Sequence, residues 1–429
     1  MIRYASPLTQ VIIVALVLFL TSGMFNALNG MGGGGQVNTE VASNANVALY
    51  TLFSVGGFVA GGIVNIIGPR IAMAIGASAY ALYAGSLLSY NHNQNSGAAL
   101  VWTGQGAILT SYPSEQNKGK YIGIFWAIFN TGAVLGSILP LALNWHSTAG
   151  SVNDGTYIGF LILMIFGSFS ALALLPPSRV FHKDGHPVQV EKFPTWKTET
   201  IEIAKLLLDW RMIALTPMFL ASNWFYAYQF NDVNAAYFDV RTRAFNNLWY
   251  WFCQIIGATA FGIFLDTAFL TRPKRALYGL GIIFVFTTAT WIGGLIFQLK
   301  YKRGDKIDRD LFDSGYGGEL LLYMVYGLND AMYQCYAYWI MGALTNDTSK
   351  LSRYNGFYKA VQSAGAAISW RIDAVGTAYL TQLLICWALL TVSIPSMFAV
   401  IITVKNTNYN LEEVDNEVVL VEQKKYEMG

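Results

Sequence analysis

Charge is what this chain has least of. Of its 429 residues, 27 are Lys or Arg and 25 are Asp or Glu, together 12%, about half the charged share of a soluble globular protein. A soluble fold of this length needs more charge to cover its surface, which excludes a cytosolic enzyme, a disordered tail protein and a coiled coil. The net charge is +2, so no broad positive field is available to draw a nucleic acid, and none is expected as a partner. Cysteine is almost missing: Cys253, Cys335 and Cys386 each lie inside an apolar run with no paired spacing. They read as small core residues, not as a disulfide framework or a metal site. Four scattered histidines offer no metal cluster, and no nucleophile–base pattern suggests catalysis. Neither a metal, a cofactor nor an enzyme activity is expected.

What is present is apolar sequence. Hydrophobic residues make up 54% of the chain, and mean hydropathy is +0.40. The apolar runs are continuous rather than alternating, which argues against a transmembrane barrel and for an all-α polytopic membrane protein. A span needs about 20 mostly apolar residues. Clear candidates are residues 7–27, 46–67, 71–90, 121–143, 157–175, 212–231, 247–265, 276–299, 320–344 and 378–404, and two weaker ones are 98–110 and 354–370. The run at 7–27 lacks a small-x-small cleavage pattern and reads as the first span rather than a leader. Twelve spans then divide as six and six: residues 1–175 form an N-terminal half and 212–404 a C-terminal half. A polar central loop, 176–211, separates them, with a short amphipathic helix expected near 199–210. Residues 405–429 are an acidic, solvated tail.

Basic residues set the orientation. With the N-terminus in the cytosol, the inside holds Arg3, Arg70, Lys118, Lys120, the central loop, Arg272, Lys274, Arg275, Lys350 and Arg353. The outside holds Arg241, Arg243, Arg371 and a cluster at 300–309 that runs against the rule. Both termini are therefore expected in the cytosol, and the sequon at Asn346 should stay unmodified. The bilayer, of the plasma membrane or an endomembrane, is the surrounding partner.

The two halves carry related motifs. The second span ends in Gly61, Asn65, Gly68 and Arg70, and the eighth in Gly262 and Asp266, followed by Arg272 and Arg275. Glycine lets helices approach, and a polar group at a helix end can pair with basic residues in a tight loop. This resembles the signature loop of the major facilitator superfamily, with Asn65 where an acid usually stands. Within that superfamily the chain resembles the uncoordinated-93-like branch in its fungal form. The likeness rests on Asn29–Gln36 (NGMGGGGQ), Trp102–Ala107 (WTGQGA), Phe125–Asn130 (FWAIFN) and Gly327–Ala331 (GLNDA). It implies a twelve-helix facilitator fold around a central cavity. It names no substrate: branch members are described as transporters, as regulators associated with channels, and as trafficking partners of receptors. The run Gly32–Gly35 is no phosphate loop, since no Gly-Lys-Ser/Thr follows, and reads as a flexible connector.

Polar side chains inside spans are costly in lipid and normally face the interior. The expected lining of a solute cavity is Trp102, Gln105, Asn130, Asn223, Trp224, Tyr228, Asn329, Asp330, Gln334 and Gln362, with Asn26, Gln254 and Lys359 as further in-span polar groups. Single amides often serve helix packing alone. Asp330 stands out, because it sits about 21 Å from the end of its span at 344. A carboxylate there is either protonated or paired. Lys359 lies at about 8 Å and is expected to snorkel to the interface, which leaves Arg371 as the partner of matching depth. The fourth span, 98–110, covers about 20 Å of a core of about 30 Å, and the resemblance, whose members have a full-length helix here, implies that this one is truncated by about a dozen residues. The leading functional expectation is a transporter moving a small solute by alternating access. The alternative is a non-transporting scaffold that regulates or traffics a channel or receptor and so has a membrane-protein partner.

Overall fold

The computed structural model describes residues 4–36, 39–93, 118–146, 151–176, 179–181, 201, 205–346 and 348–407. Each expected span has a helix except the fourth, which lies outside the described residues, as do most of the central loop and the tail. The first span comprises α1 (Pro7–Leu18), a π-helical turn Phe19–Gly23 and α2 (Met24–Gly30). Then come α3 (Thr39–Asn93), α4 (Lys118–Leu143) and α5 (Asp154–Ser170). After the central stretch, the C-terminal helices are α6 (Trp210–Ala221), α7 (Val240–Leu265), α8 (Arg272–Gln298), α9 (Tyr316–Leu344), α10 (Thr348–Ala374) and α11 (Tyr379–Ile401).

Local chemistry starts these helices. Ser6 caps α1 by accepting from the Thr9 N–H, with Pro7 in the first turn. Asn153, Asp209 and Asp239 do the same for α5, α6 and α7, each satisfying a backbone donor that the helix cannot. The second and third expected spans run through α3 and are separated by Gly68 at φ +80°, a conformation open to glycine and strained for other residues. Beyond α6 the chain winds one α-turn, Phe225–Ala227, and then a π-helix, Tyr228–Ala235. The seventh span therefore continues past its expected end at Asn231, because its polar tail finds buried partners instead of water.

Among the described residues, six helical stretches are long and apolar enough to cross a bilayer: Pro7–Gly30, Arg70–Ser89, Asp154–Ala173, Val240–Leu265, Arg272–Gln298 and Tyr379–Ile401. Their outward faces carry large apolar side chains. Phe166 and Val285 are each 64% exposed and Phe169 is 67% exposed. Such belts would be costly in water and cost nothing against lipid tails. Across the middle of the molecule α3 packs on α10 and α4 on α7. The residue 31–36 loop, the 299–315 loop and the turns after α4, α7's start and α10 all lie at one end of the bundle, called the loop face below.

The loop after α2 is not the flexible connector expected from its glycines. Gly32–Gly35 all have positive φ, from 57° to 80°, and are buried rather than flexible. Arg243 donates to the Met31 carbonyl at 2.6 Å and the Gly32 carbonyl at 2.7 Å. Asn234 donates to the Gly30 carbonyl and Tyr157 to the Gly34 carbonyl, each at 2.8 Å. The backbone follows this path only because side chains from distant helices satisfy its carbonyls. Arg243, expected in an outer loop, is 4% exposed inside α7.

Candidate functional site

Two polar centres lie inside the bundle. The first is built on α9. Asp330 is fully buried, and its carboxyl contacts the Tyr250 hydroxyl and accepts from Gln229 Nε2 at 3.4 Å. The Tyr250 hydroxyl also reaches Gln229 Oε1 at 2.7 Å. One hydroxyl has one hydrogen, so with the Gln229 amide in this orientation the ring closes only when the Asp330 carboxyl carries a proton. The order is then Asp330 to Tyr250, Tyr250 to Gln229, and Gln229 back to Asp330. The expected Arg371 partner is elsewhere: its guanidinium reaches Asn44 Oδ1 at 3.1 Å at the loop face. A neutral amide and a phenol serve Asp330 instead, which a low-dielectric interior favours over a buried ion pair.

A lane of amides runs beside this ring. Gln334 Nε2 donates to the Tyr226 hydroxyl at 3.0 Å, and Gln254 Nε2 approaches the same hydroxyl at 3.5 Å. Gln362 Nε2 reaches Ser222 Oγ at 3.0 Å and Gln334 Oε1 at 3.3 Å. Lys359 donates to Gln362 Oε1 at 2.8 Å, with its ammonium 5.5 Å from the Tyr338 ring centre and 5.3 Å from that of Tyr358. The snorkelling expected of Lys359 is thus replaced by an inward amide contact and two aromatic faces.

The other expected lining residues divide. Asn329 is buried and accepts from Thr287 Oγ1 at 3.0 Å. Asn130 is 1% exposed, and its Oδ1 has no partner among the described residues. Trp224 is buried, its carbonyl accepting from Ser369 at 2.6 Å, and Asn223 is half-buried. Tyr228 donates to Gln298 Oε1 at 2.8 Å, so it ties the π-helix to the end of α8 and does not join the Asp330 ring. Trp102 and Gln105 lie outside the described residues.

The loop motifs also divide. The surroundings of Gly61 and the side chain of Asn65 lie outside what is described, and Arg70 is exposed. Arg275 donates to the Leu265 carbonyl at 2.6 Å, closing the end of α7, while Asp266 is the C-cap and Arg272 opens α8. Among the described residues, a Cβ on Gly262 would meet nothing within 4 Å, so none of them makes the close helix approach expected there. The intimate crossings use other glycines, as at Gly365 and Gly327.

The second centre, at the loop face, was missed. Asp373 Oδ2 accepts from Ser43 Oγ at 2.9 Å and Asn231 Nδ2 at 2.6 Å, and its Oδ1 accepts from Arg303 at 2.5 Å and Gln382 at 3.3 Å. Arg303 also reaches Asp232 Oδ1 at 3.1 Å. Asn231 ties this centre to the glycine loop, accepting from the Gly33 N–H at 2.7 Å. Burial opposes the charge on Arg303, but the Asp232 and Asp373 carboxylates outweigh it and hold its pKa above the ordinary arginine value. The signal was in the sequence: the end of the seventh span reads Gln229, Asn231, Asp232, Asn234, too polar for lipid. The window ending at Trp370 also stopped short of Asp373. Arg303, which ran against the positive-inside rule, is spent on these acids. Among the described residues, no group of three or more His, Cys, Asp or Glu is placed to hold a metal ion.

A family model described as ion channel regulatory protein UNC-93 matches residues 35–404. This chain belongs to the UNC-93 family. An UNC93-like protein of Schizosaccharomyces pombe is 49% identical over 407 residues, covering 91% of this chain and 81% of its own length. UNC93-like protein 1 of Arabidopsis thaliana is 45% identical over 425 residues, covering 95% and 92%. Among solved structures, the Escherichia coli fucose:proton symporter superposes with a TM-score of 0.56 at 13% identity, over 92% of this chain and 99% of that one. A nucleoside transporter gives 0.57 at 13%, over 92% and 100%. At that identity the likeness is one of fold. This UNC-93 family member is an all-α, multi-pass membrane protein with the major facilitator fold.

Proposed function

We propose that this protein is a facilitator-type transporter that moves a small solute by alternating access. Its halves would be residues 1–175 and 212–404, its loop face would be outward, and both termini would be cytosolic. One observation carries the reading. Every side-chain hydrogen bond described between the helices before residue 176 and those after 205 lies at the loop face, from Ser43–Asp373 to Arg243 on the glycine loop and Asn247 on the Ala27 carbonyl. Two halves pinned at one end, with a buried polar lane deeper in the bundle, form one state of a rocking pair. The lane of Asp330, Gln334, Gln362, Asn329, Asn130, Asn223 and Trp224 is the proposed solute wall, which Trp102 and Gln105 would extend. The loops around Gly61–Arg70 and Gly262–Arg275 are the proposed conformational elements at the opposite face.

The family's description as an ion channel regulatory protein favours a second reading, in which the chain escorts or regulates another membrane protein and moves no solute. Purified protein screened against small polar solutes separates the two. A ligand that binds the folded state raises the melting temperature by mass action, and the hit must then accumulate in proteoliposomes. If no solute stabilises the protein and none accumulates, while a channel co-purifies with it in fixed ratio, the transporter reading fails.

A further inference from the structure

We infer that the Asp232–Asp373 centre is an organic-cation site for guanidinium or primary ammonium groups, occupied in this structure by the protein's own Arg303. It lies at the loop face, apart from the proposed solute wall, and stands whether or not a solute crosses the membrane.

The two carboxyl groups are unequal. Asp373 is saturated, with four donors around its two oxygens. Asp232 is fully buried: its Oδ1 pairs with Arg303, its carboxyl also hydrogen-bonds that of Asp373, and among the described residues Oδ2 has no donor outside the acid pair. Two buried acids thus share one cation. A cation with several N–H donors, a fork or an ammonium, can serve both carboxyls at once.

The walls fit such a group. Arg303 presents its guanidinium 4.4 Å from the centre of the Tyr379 ring, as a cation–π partner, while Nε donates to the Thr377 carbonyl at 2.9 Å. These are an aromatic face, a carbonyl and two carboxylates, the elements that recognise organic cations. The occupant is also replaceable. Arg303 comes from the 299–315 loop, and its side chain is 27% exposed. The loop is held elsewhere: Arg309 pairs with Glu319 at 3.0 Å, and the Asp239 N–H donates to the Arg309 carbonyl at 3.1 Å. Arg303 can therefore swing out without unfolding its segment. As a tethered group it competes at an effective concentration on the order of millimolar, so a free cation binds far better once Arg303 is cut back.

The test uses full-length protein in lipid nanodiscs, methylguanidinium chloride as probe, and sodium chloride at equal ionic strength as control. Thermal unfolding is followed by intrinsic fluorescence. Arg303→Ala should melt below the wild type and recover saturably with methylguanidinium. Its half-maximal concentration should be at least tenfold lower than any wild-type response, and Arg303→Ala/Asp232→Asn should lose the recovery. Arg303→Gln, which keeps two N–H donors, undergoes the same comparison should the alanine variant fail to fold. No saturable rise in the folded single variant overturns the inference. So does an equal rise in wild type, single and double variants, because the probe then binds elsewhere.

Discussion

Replacing Asp330 by alanine and by asparagine separates two accounts of a buried carboxyl. In the ring of Asp330, Tyr250 and Gln229, alanine removes the acceptor of Gln229 Nε2 and one of the two partners of the Tyr250 hydroxyl, while Tyr250 keeps Gln229 Oε1 at 2.7 Å. One buried amide donor is left unpaired, at a cost of about 1–3 kcal/mol. Asparagine has the same shape: its Nδ2 can donate to Tyr250 as the carboxyl proton does, and its Oδ1 can accept from Gln229. If Asp330 is the neutral acid that the hydrogen count requires, Asp330→Asn stays within about 0.5 kcal/mol of wild type, the usual range for a change that breaks no contact. Asp330→Ala falls well below it. Chemical and thermal unfolding of the three proteins in one detergent, read by tryptophan fluorescence, gives the comparison. Were Asp330→Asn as unstable as Asp330→Ala, the charge itself would be holding the site and the proton count above would be wrong. Were Asp330→Ala as stable as wild type, the ring would contribute nothing.

Three further outcomes are expected. Gly365→Ala would place a Cβ 2.2 Å from the Leu220 carbonyl oxygen and should cost about 1–3 kcal/mol or prevent folding; Gly262→Ala, in open space, should be neutral or stabilise by up to about 1 kcal/mol, with melting temperature and monodispersity on gel filtration as the readout. Arg243→Met strands the Met31 and Gly32 carbonyls and should lose about 3 kcal/mol. Arg241→Met, which gives up a partly exposed guanidinium between the Trp145 and Phe312 rings, should lose only about 1 kcal/mol; equal losses in unfolding experiments would contradict the burial argument. Inserting about twelve apolar residues between Gly97 and Ala98, enough to complete a span, should raise yield and melting temperature, and a native form that matches the lengthened one on both would show the short segment to be sufficient.

The sequence by itself determined the class and the coarse plan. A chain this poor in charge cannot face water over its whole surface, and backbone groups in lipid must bond within their own segment, so long apolar runs became helices wherever they are described. Even the weak run at 354–370, carrying Lys359, proved helical within α10. Asp330 was legible as special from its depth alone. Its partners were not, because they depend on which face each helix turns inward: Gln229 and Tyr250 sit on different helices, 101 and 80 residues away, and depth favoured an arginine that serves the loop face. The glycine run shows the same limit. Its composition spells flexibility, but Asn231, Asn234, Tyr157 and Arg243 reach it from 123 to 212 residues away and fix the backbone N–H and carbonyl groups they bond. Hydropathy is additive along the chain and can be read from it. Hydrogen-bond satisfaction is a property of pairs, and only the packed helices bring the pairs together.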